Sequence, residues 1–358
     1  MPLNSNSRYI TRQWSAGADA EDDVTPSEGK VLLILPVRDD WESCAQLLTQ
    51  VGTVFAERPE ELHVLVVDDG STEAPPDWSS VDRRAIASMR LLVLRRNLGH
   101  QRAIAVGLCH ADAKLDFDSI LLMDADGEDA PEDAVLLLDR AYELNGESIV
   151  FAARTKRSER LSFRIGYFVY RTLHKLLTGE NTNVGNFSVV PRARVGALVT
   201  NPHLWSHYAA SVLASTTPHT SIPTARRKRL DGISKMNSVS LVTHGLAAIA
   251  VFGETVGTRF FLFSIGVAGA VVLAVVTLLA YGYLGAEGSA SWLGTVIVQV
   301  VSVGLMFFFL SVVFSLLVLN SRSRLDFLPA RDYRYFVASE ELVFERIVQT
   351  GTRDRTGS

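Results

Sequence analysis

The sequence predicts an α/β chain whose mostly parallel sheet is followed by amphipathic interfacial helices and two membrane-spanning helices. Three observations predict it. Short apolar runs rich in branched residues alternate with helix-period segments from residue 31 to about residue 153. Two of these runs end in acid clusters, Asp68-Asp69 and Asp124-Ala125-Asp126. Two long late runs, Phe260–Leu284 and Trp292–Leu319, hold no charged residue.

In chain order, residues 1–29 are rich in Ser, Asn, Asp and Glu with no apolar stretch long enough for a signal peptide, and read as a disordered tail. Val31–Pro36 (VLLILP) is a buried parallel strand. Asp39 and Asp40 open a helix in which Trp41, Cys44, Leu47, Leu48 and Val51 recur at helical spacing. Leu62–Val67 is a second strand, running into Asp68-Asp69-Gly70-Ser71-Thr72, and Leu91–Leu94 a third, followed by a helix through Ala103 and Leu108. Ile120–Met123 is the fourth strand and Ser148–Ala153 the fifth.

The stretch Ile120–Pro131 (ILLMDADGEDAP) organises the chain. A buried strand delivers carboxylates to its C-terminal edge, where open α/β sheets bind ligands. Two carboxylates one residue apart suit a hard divalent cation that shares a substrate's phosphates. Acids also cap helices and favour their first turn, so the motif alone does not decide. Other acid motifs fit poorly: Gly127 is fourth from Asp124, whereas a calcium-binding EF-hand loop needs Gly at the sixth position. A phosphatase of the Asp-x-Asp-x-Thr type needs Thr where Glu128 stands, and Pro36–Asp40 lacks the glycine-rich turn of a dinucleotide fold.

Composition narrows the class. The 358 residues carry a net charge of −4, which argues against a nucleic-acid partner. The two cysteines, Cys44 and Cys109, lie in predicted helices and read as reduced thiols.

Taken in order, ILPVRDD, VVDDGST, NLGHQRAIAVGL and MDADGEDAPED resemble the family 2 glycosyltransferases, over about Val31 to about Asn320. Within that family the chain is most similar to the polyprenyl-phosphate glycosyltransferases, the dolichol-phosphate mannose synthase and bacterial glucosyl-lipid synthase group. The resemblance implies a GT-A fold, a nucleotide-sugar donor, inverting transfer and a cofactor, Mg2+ or Mn2+. It implies Asp124, Asp126 and Glu128 as metal ligands, although Gln is usual at Glu128. Pro36, Asp68, Asp69, Asp124 and Arg154 are then the nucleotide-sugar contacts.

Past the fifth strand, residues 154–177 form a basic amphipathic segment suited to a membrane interface. In the resembling enzymes its arginines and a later Arg-x-x-Gly-x-Ser-Lys stretch hold phosphates. Here that assigns the acceptor phosphate to Arg154, Arg164, Arg229, Ser234 and Lys235. The related enzymes often carry Gly-Asp-Phe-Arg, with the Asp considered the catalytic base, where this chain has Gly185-Asn186-Phe187-Ser188. Asn186 cannot take a proton. A phosphate monoester, with a second pKa near ~6, is already largely dianionic and tolerates that change. A sugar hydroxyl would need another base, for which His100, His203 and His207 are candidates.

The expected organisation is a catalytic domain at 30–235, a juxtamembrane helix at 236–259, two spans at 260–320 and a mixed-charge tail at 321–358, with Tyr333, Tyr335 and Phe336 at the interface. Each apolar run exceeds a ~30 Å hydrocarbon core at ~1.5 Å per residue. Arg259, Arg322, Arg324 and Arg331 flank the spans while the link 285–291 has only Glu287, which places the catalytic domain and both termini in the cytosol.

The expected activity is transfer of a sugar, from a UDP-hexose such as UDP-glucose, to polyprenyl phosphate in cell-envelope glycan synthesis. The alternatives are transfer to a glycolipid or glycan hydroxyl, and a non-catalytic membrane scaffold. No motif specifies a homo-oligomer, although related membrane enzymes form them.

Overall fold

The computed structural model describes residues 29–154, 171–180, 183–230, 238–283, 290–322 and 327–346. The expected N-terminal tail, the residues 155–170 of the basic segment with Arg164, and Ser234 and Lys235 lie outside the described residues.

Among the described residues one eight-stranded sheet has the order β7-β5-β6-β4-β1-β2-β3-β8. Its strands are β1 Lys30–Val37, β2 Glu61–Asp68, β3 Ile86–Leu94, β4 Ser119–Leu122, β5 Ile149–Arg154, β6 Val184–Pro191, β7 His219–Thr224 and β8 Val337–Glu345. The ladders β1–β2, β1–β4, β2–β3 and β5–β7 are parallel. Those of β6 with β4 and β5, and of β8 with β3, are antiparallel.

Helices cover both faces, which is why the central strands are apolar on both sides. Leu33 and Leu35 of β1 pack on one face with α1 (Trp41–Phe55) and α3 (Pro131–Glu143). Leu32 and Ile34 pack on the other with α2 (His100–Lys114), α4 (Arg192–Val199) and α5 (Tyr208–Leu213). Each fully buried leucine contributes about 1.5–3 kcal/mol. The third strand starts at Ile86, earlier than its apolar run, because Ser88 and Arg90 continue the ladder with polar side chains. Ser88 Oγ lies 2.8 Å from His63 Nδ1 on the neighbouring strand.

Three further helices follow the sheet: α6 (Ser238–Val251), α7 (Gly253–Tyr283) and α8 (Ala290–Arg322). The juxtamembrane helix thus ends at Val251, and the first apolar helix begins at Gly253, earlier than Phe260. Two stretches, Gly253–Ala280 and Gly294–Val318, are long and apolar enough to cross a membrane; 6% and 11% of their apolar windows are buried. Helices so apolar and so little covered are not core helices. They pack on each other through Phe260 against Phe307, ring centroids 5.0 Å apart, and through Ser311 Oγ donating to Ser264 Oγ at 2.8 Å.

Within the expected tail, residues 327–346 fold onto the sheet, and Tyr335 alone of the three expected interface aromatics is largely exposed, at 77%. Tyr333 is 1% exposed and packs with α2 residues instead of lying at an interface. β8 closes the sheet beside β3, with Glu340 paired to Arg90 at 3.0 Å and Arg83 over the Phe344 ring at 4.5 Å. The unpaired edge of β3 supplies the cause, since its N–H and C=O groups need partners. Both ends of the α7–α8 hairpin consequently lie on the catalytic domain's side.

Candidate active site at the C-terminal ends of β1, β2 and β4

β1 lies between β2 and β4, so the two acid turns flank its C-terminal end, where Pro36 pairs with Val67. In the first turn, Asp69 is 3% exposed and its two oxygens accept from Leu98 N at 2.6 Å and Gly99 N at 2.9 Å. Burial raises its pKa against the opposing pull of those two bonds. Asp69 therefore ties the 97–99 loop to β2. Asp68 Oδ1 accepts from Ser71 N at 2.8 Å. Gly70 turns the chain at φ +65°, and a Cβ there would lie 2.6 Å from Asn97 N. Asp39 joins the same rim, its Oδ1 accepting from Thr72 N at 2.6 Å and Glu73 N at 3.1 Å.

In the second turn, Met123 N donates to Ile34 O at 3.2 Å, which keeps Asp124 beside the end of β1. Asp124 Oδ1 is met by His100 Nε2 at 2.9 Å and by Asn186 Nδ2 at 3.3 Å. Burial by itself lowers the His100 pKa; the carboxylates of Asp124, Asp126 and Asp69 outweigh it and leave it raised. Asn186 Nδ2 also lies 3.0 Å from His100 Nε2, so the three side chains meet at one point. Asn186 sits on β6, 9% exposed, with Gln101 Nε2 donating to its Oδ1 at 3.0 Å. Gln101 Oε1 in turn accepts from Tyr208 N at 2.7 Å.

Asp126 Oδ2 accepts from Arg229 Nη2 at 2.8 Å, and Glu128, expected as a metal ligand, is turned to Arg226. Among the described residues no three His, Cys, Asp or Glu side chains converge as a ready-made metal cage. Asp124 and Asp126 nevertheless fit a hard cation: two oxygen donors one residue apart, with the other positions left to a diphosphate and water.

Residues 33–197 match the model of glycosyl transferase family 2. That region is similar to the family 2 glycosyltransferases. The chain is 26% identical over 274 residues to an undecaprenyl-phosphate 4-deoxy-4-formamido-L-arabinose transferase from Klebsiella pneumoniae (strain 342), covering 72% of this chain and 79% of that protein. A protein of the same description from Salmonella choleraesuis (strain SC-B67) is 26% identical over 165 residues, covering 46% and 48%. Among solved structures, glucosyl-3-phosphoglycerate synthase from Mycobacterium tuberculosis, in complex with Mn2+, UDP-glucose and phosphoglyceric acid, aligns with a TM-score of 0.47 at 16% identity, covering 64% of this chain and 80% of that one.

The candidate site brings together Pro36, Asp68, Asp69, His100, Asp124, Asp126, Asn186 and Arg229 from the expected set. Arg154 ends β5, in register with Thr224 of β7. Two contributors to the candidate site escaped sequence reading: Gln101 and Arg226. Gln101 follows His100 in NLGHQRA, and Arg226 belongs to the basic run Arg226-Arg227-Lys228-Arg229, so each stood beside a residue already singled out. His203 and His207 are not at the site: His203 belongs to a 3-10 turn, and His207 caps α5 and meets His244 of α6, Nε2 to Nε2 at 3.1 Å.

Proposed function

We propose that the protein transfers a sugar, with inversion, from a nucleotide-sugar donor to a polyprenyl phosphate at a membrane surface. The observation that carries this reading is Asn186. Its amide is held so that an N–H faces Asp124, at the position where a base for a hydroxyl acceptor would stand. An acceptor that arrives ionised needs no base there, and a lipid phosphate is such an acceptor. The relatives named as undecaprenyl-phosphate transferases support the same acceptor class.

In this reading Asp68 and Pro36 line the nucleotide side of the cleft, and Asp124 and Asp126 hold Mg2+ or Mn2+. That cation would neutralise charge on the leaving diphosphate. His100 and Asn186 orient Asp124 through contacts to one of its oxygens. Arg229, with Arg154, Arg164, Ser234 and Lys235, receives the acceptor phosphate, for which guanidinium groups supply paired charge-assisted bonds. UDP-glucose is the first donor to test.

The α7–α8 hairpin anchors the domain where lipid phosphates lie. Arg259 at the head of α7 donates from Nη1 to Leu176 O at 2.9 Å, and Leu177 packs against Val251 and Phe252. The described end of the basic segment thus rests on the membrane-proximal helices. Flanking arginines on both ends of the hairpin support a cytosolic catalytic domain and cytosolic termini.

The reading is tested by transfer of label from a panel of UDP- and GDP-sugars into undecaprenyl phosphate, with Mn2+. Label in the organic phase, absent with EDTA or in Asp126→Ala, is expected. Donor hydrolysis without lipid product would redirect the acceptor, and neither activity would favour a scaffold.

A further inference from the structure

After β7 the chain forms a strap at 225–230 that crosses the Asp124–Asp129 turn. Arg227 N donates to Glu128 O at 2.8 Å and Leu230 N to Asp126 O at 3.1 Å. Leu230 lies on Gly127, whose φ of +72° turns the chain and whose missing Cβ leaves the space that Leu230 fills. Three arginines of the strap then divide between two directions. Arg229 and Arg226 point into the turn, onto Asp126 and Glu128, whereas Arg227 points outward to Glu132 at 2.7 Å.

The inward pairs are sheltered. The side chains of Arg226 and Arg229 are each 21% exposed, Asp126 12% and Glu128 20%. Arg229 Nε also lies 3.8 Å from Glu128 Oε1, so the two carboxylates share one guanidinium between them. Salt screens such pairs less than exposed ones. Here, therefore, two guanidinium groups neutralise two carboxylates, one of which belongs to the proposed cation pair. A dication arriving alone must displace Arg229 and leave guanidinium charge beside it. A dication arriving with a diphosphate brings anionic oxygens on which Arg229 and Arg226 can re-form bidentate bonds.

We propose that the 225–230 strap is an electrostatic latch: Arg229 and Arg226 hold Asp126 and Glu128 until a divalent cation and a diphosphate enter together. The proposal rests on the metal-diphosphate reading given above. It also gives Glu128 a reason: a carboxylate where Gln is usual matches Arg226 and fastens the latch.

The test is a titration of the full chain in detergent with Mn2+, free ion being read by electron paramagnetic resonance, alone and with saturating UDP or GDP. Nucleotide should tighten Mn2+ in any such site, so the variants without nucleotide decide. Arg229→Gln and Arg226→Gln are each expected to bind Mn2+ alone roughly fivefold or more tighter than the parent and to show less coupling to nucleotide. Arg227→Gln should match the parent in both. Melting curves establish that each variant is folded, and should Arg229→Gln not fold, Arg226→Gln decides alone. Folded variants with the parent's affinity for Mn2+ alone would overturn the latch while leaving the metal site standing. A parent that binds no Mn2+ with either nucleotide would overturn the metal-diphosphate reading itself, and the latch with it.

Discussion

Gln101 Nε2 lies 3.0 Å from Asn186 Oδ1, and this bond decides which way the Asn186 amide faces. Gln101 Oε1 is taken by the Tyr208 backbone N–H, so its amide cannot turn without losing that bond. The Asn186 oxygen therefore faces Gln101 and its nitrogen faces Asp124.

A donor at that position predicts a mild variant. Asn186→Ala should keep sugar transfer to lipid phosphate within roughly tenfold of the parent, since removing a true general base costs ~10²–10⁴-fold. Steady-state kinetics with saturating donor checks this, and a loss of a thousandfold would restore a proton-transfer role to the position.

The returning C-terminal strand predicts a stability effect far from the site. Tyr333 is 1% exposed between α2 and the chain after α8. Tyr333→Ala should cost about 3–5 kcal/mol, the range for a buried aromatic. Urea unfolding in detergent, followed by tryptophan fluorescence, measures it. A cost below about 1 kcal/mol would mean that the segment is an appendage after all.

Much of this was legible in the sequence, and the reasons are physical. The central strands β1, β2 and β4 are buried on both faces and so read as continuous apolar runs. The acid turns follow from those strands, because carboxylates after a buried run must sit at its end. β8 was hidden because Glu340 and Glu341 look like surface charge until Arg90 is known to lie opposite. The partners of Asp126 and Glu128 were hidden likewise, since Arg229 and Arg226 are about a hundred residues away and reach the turn after β4 only through the strap that leaves β7.

The nucleotide rim predicts a backbone effect. Gly70 has φ +65°, a conformation that costs an L-residue roughly 1–2 kcal/mol, and its neighbour Asn97 N leaves no room for a Cβ. Gly70→Ala should spread the 69–73 and 96–99 loops and weaken nucleotide diphosphate binding at least about fivefold. Calorimetric titration with UDP and GDP reads this, and unchanged affinity would place the nucleotide away from this rim.

The His207–His244 contact predicts a pH dependence. His207 Nδ1 accepts from Ala210 N at 3.3 Å, so its proton is on Nε2, donated to His244. Burial, then the neighbouring His244 and His174, lower its pKa to about 3. The unfolded chain therefore binds the proton first: stability is full above about pH 6.5 and falls as pH drops below it. His207→Gln should flatten the melting temperature between about pH 6.5 and 5. An identical slope in parent and variant would assign the pH dependence to other groups.

The most direct measurement of the central claim is a comparison of undecaprenyl phosphate with undecaprenol as acceptor, using the purified chain, Mn2+ and a labelled donor from the UDP- and GDP-sugar panel. The account predicts transfer to the phosphate and none to the alcohol, because Asn186 cannot deprotonate a hydroxyl and its neighbour His100 is engaged with Asp124. Transfer to the alcohol at a comparable rate would contradict it.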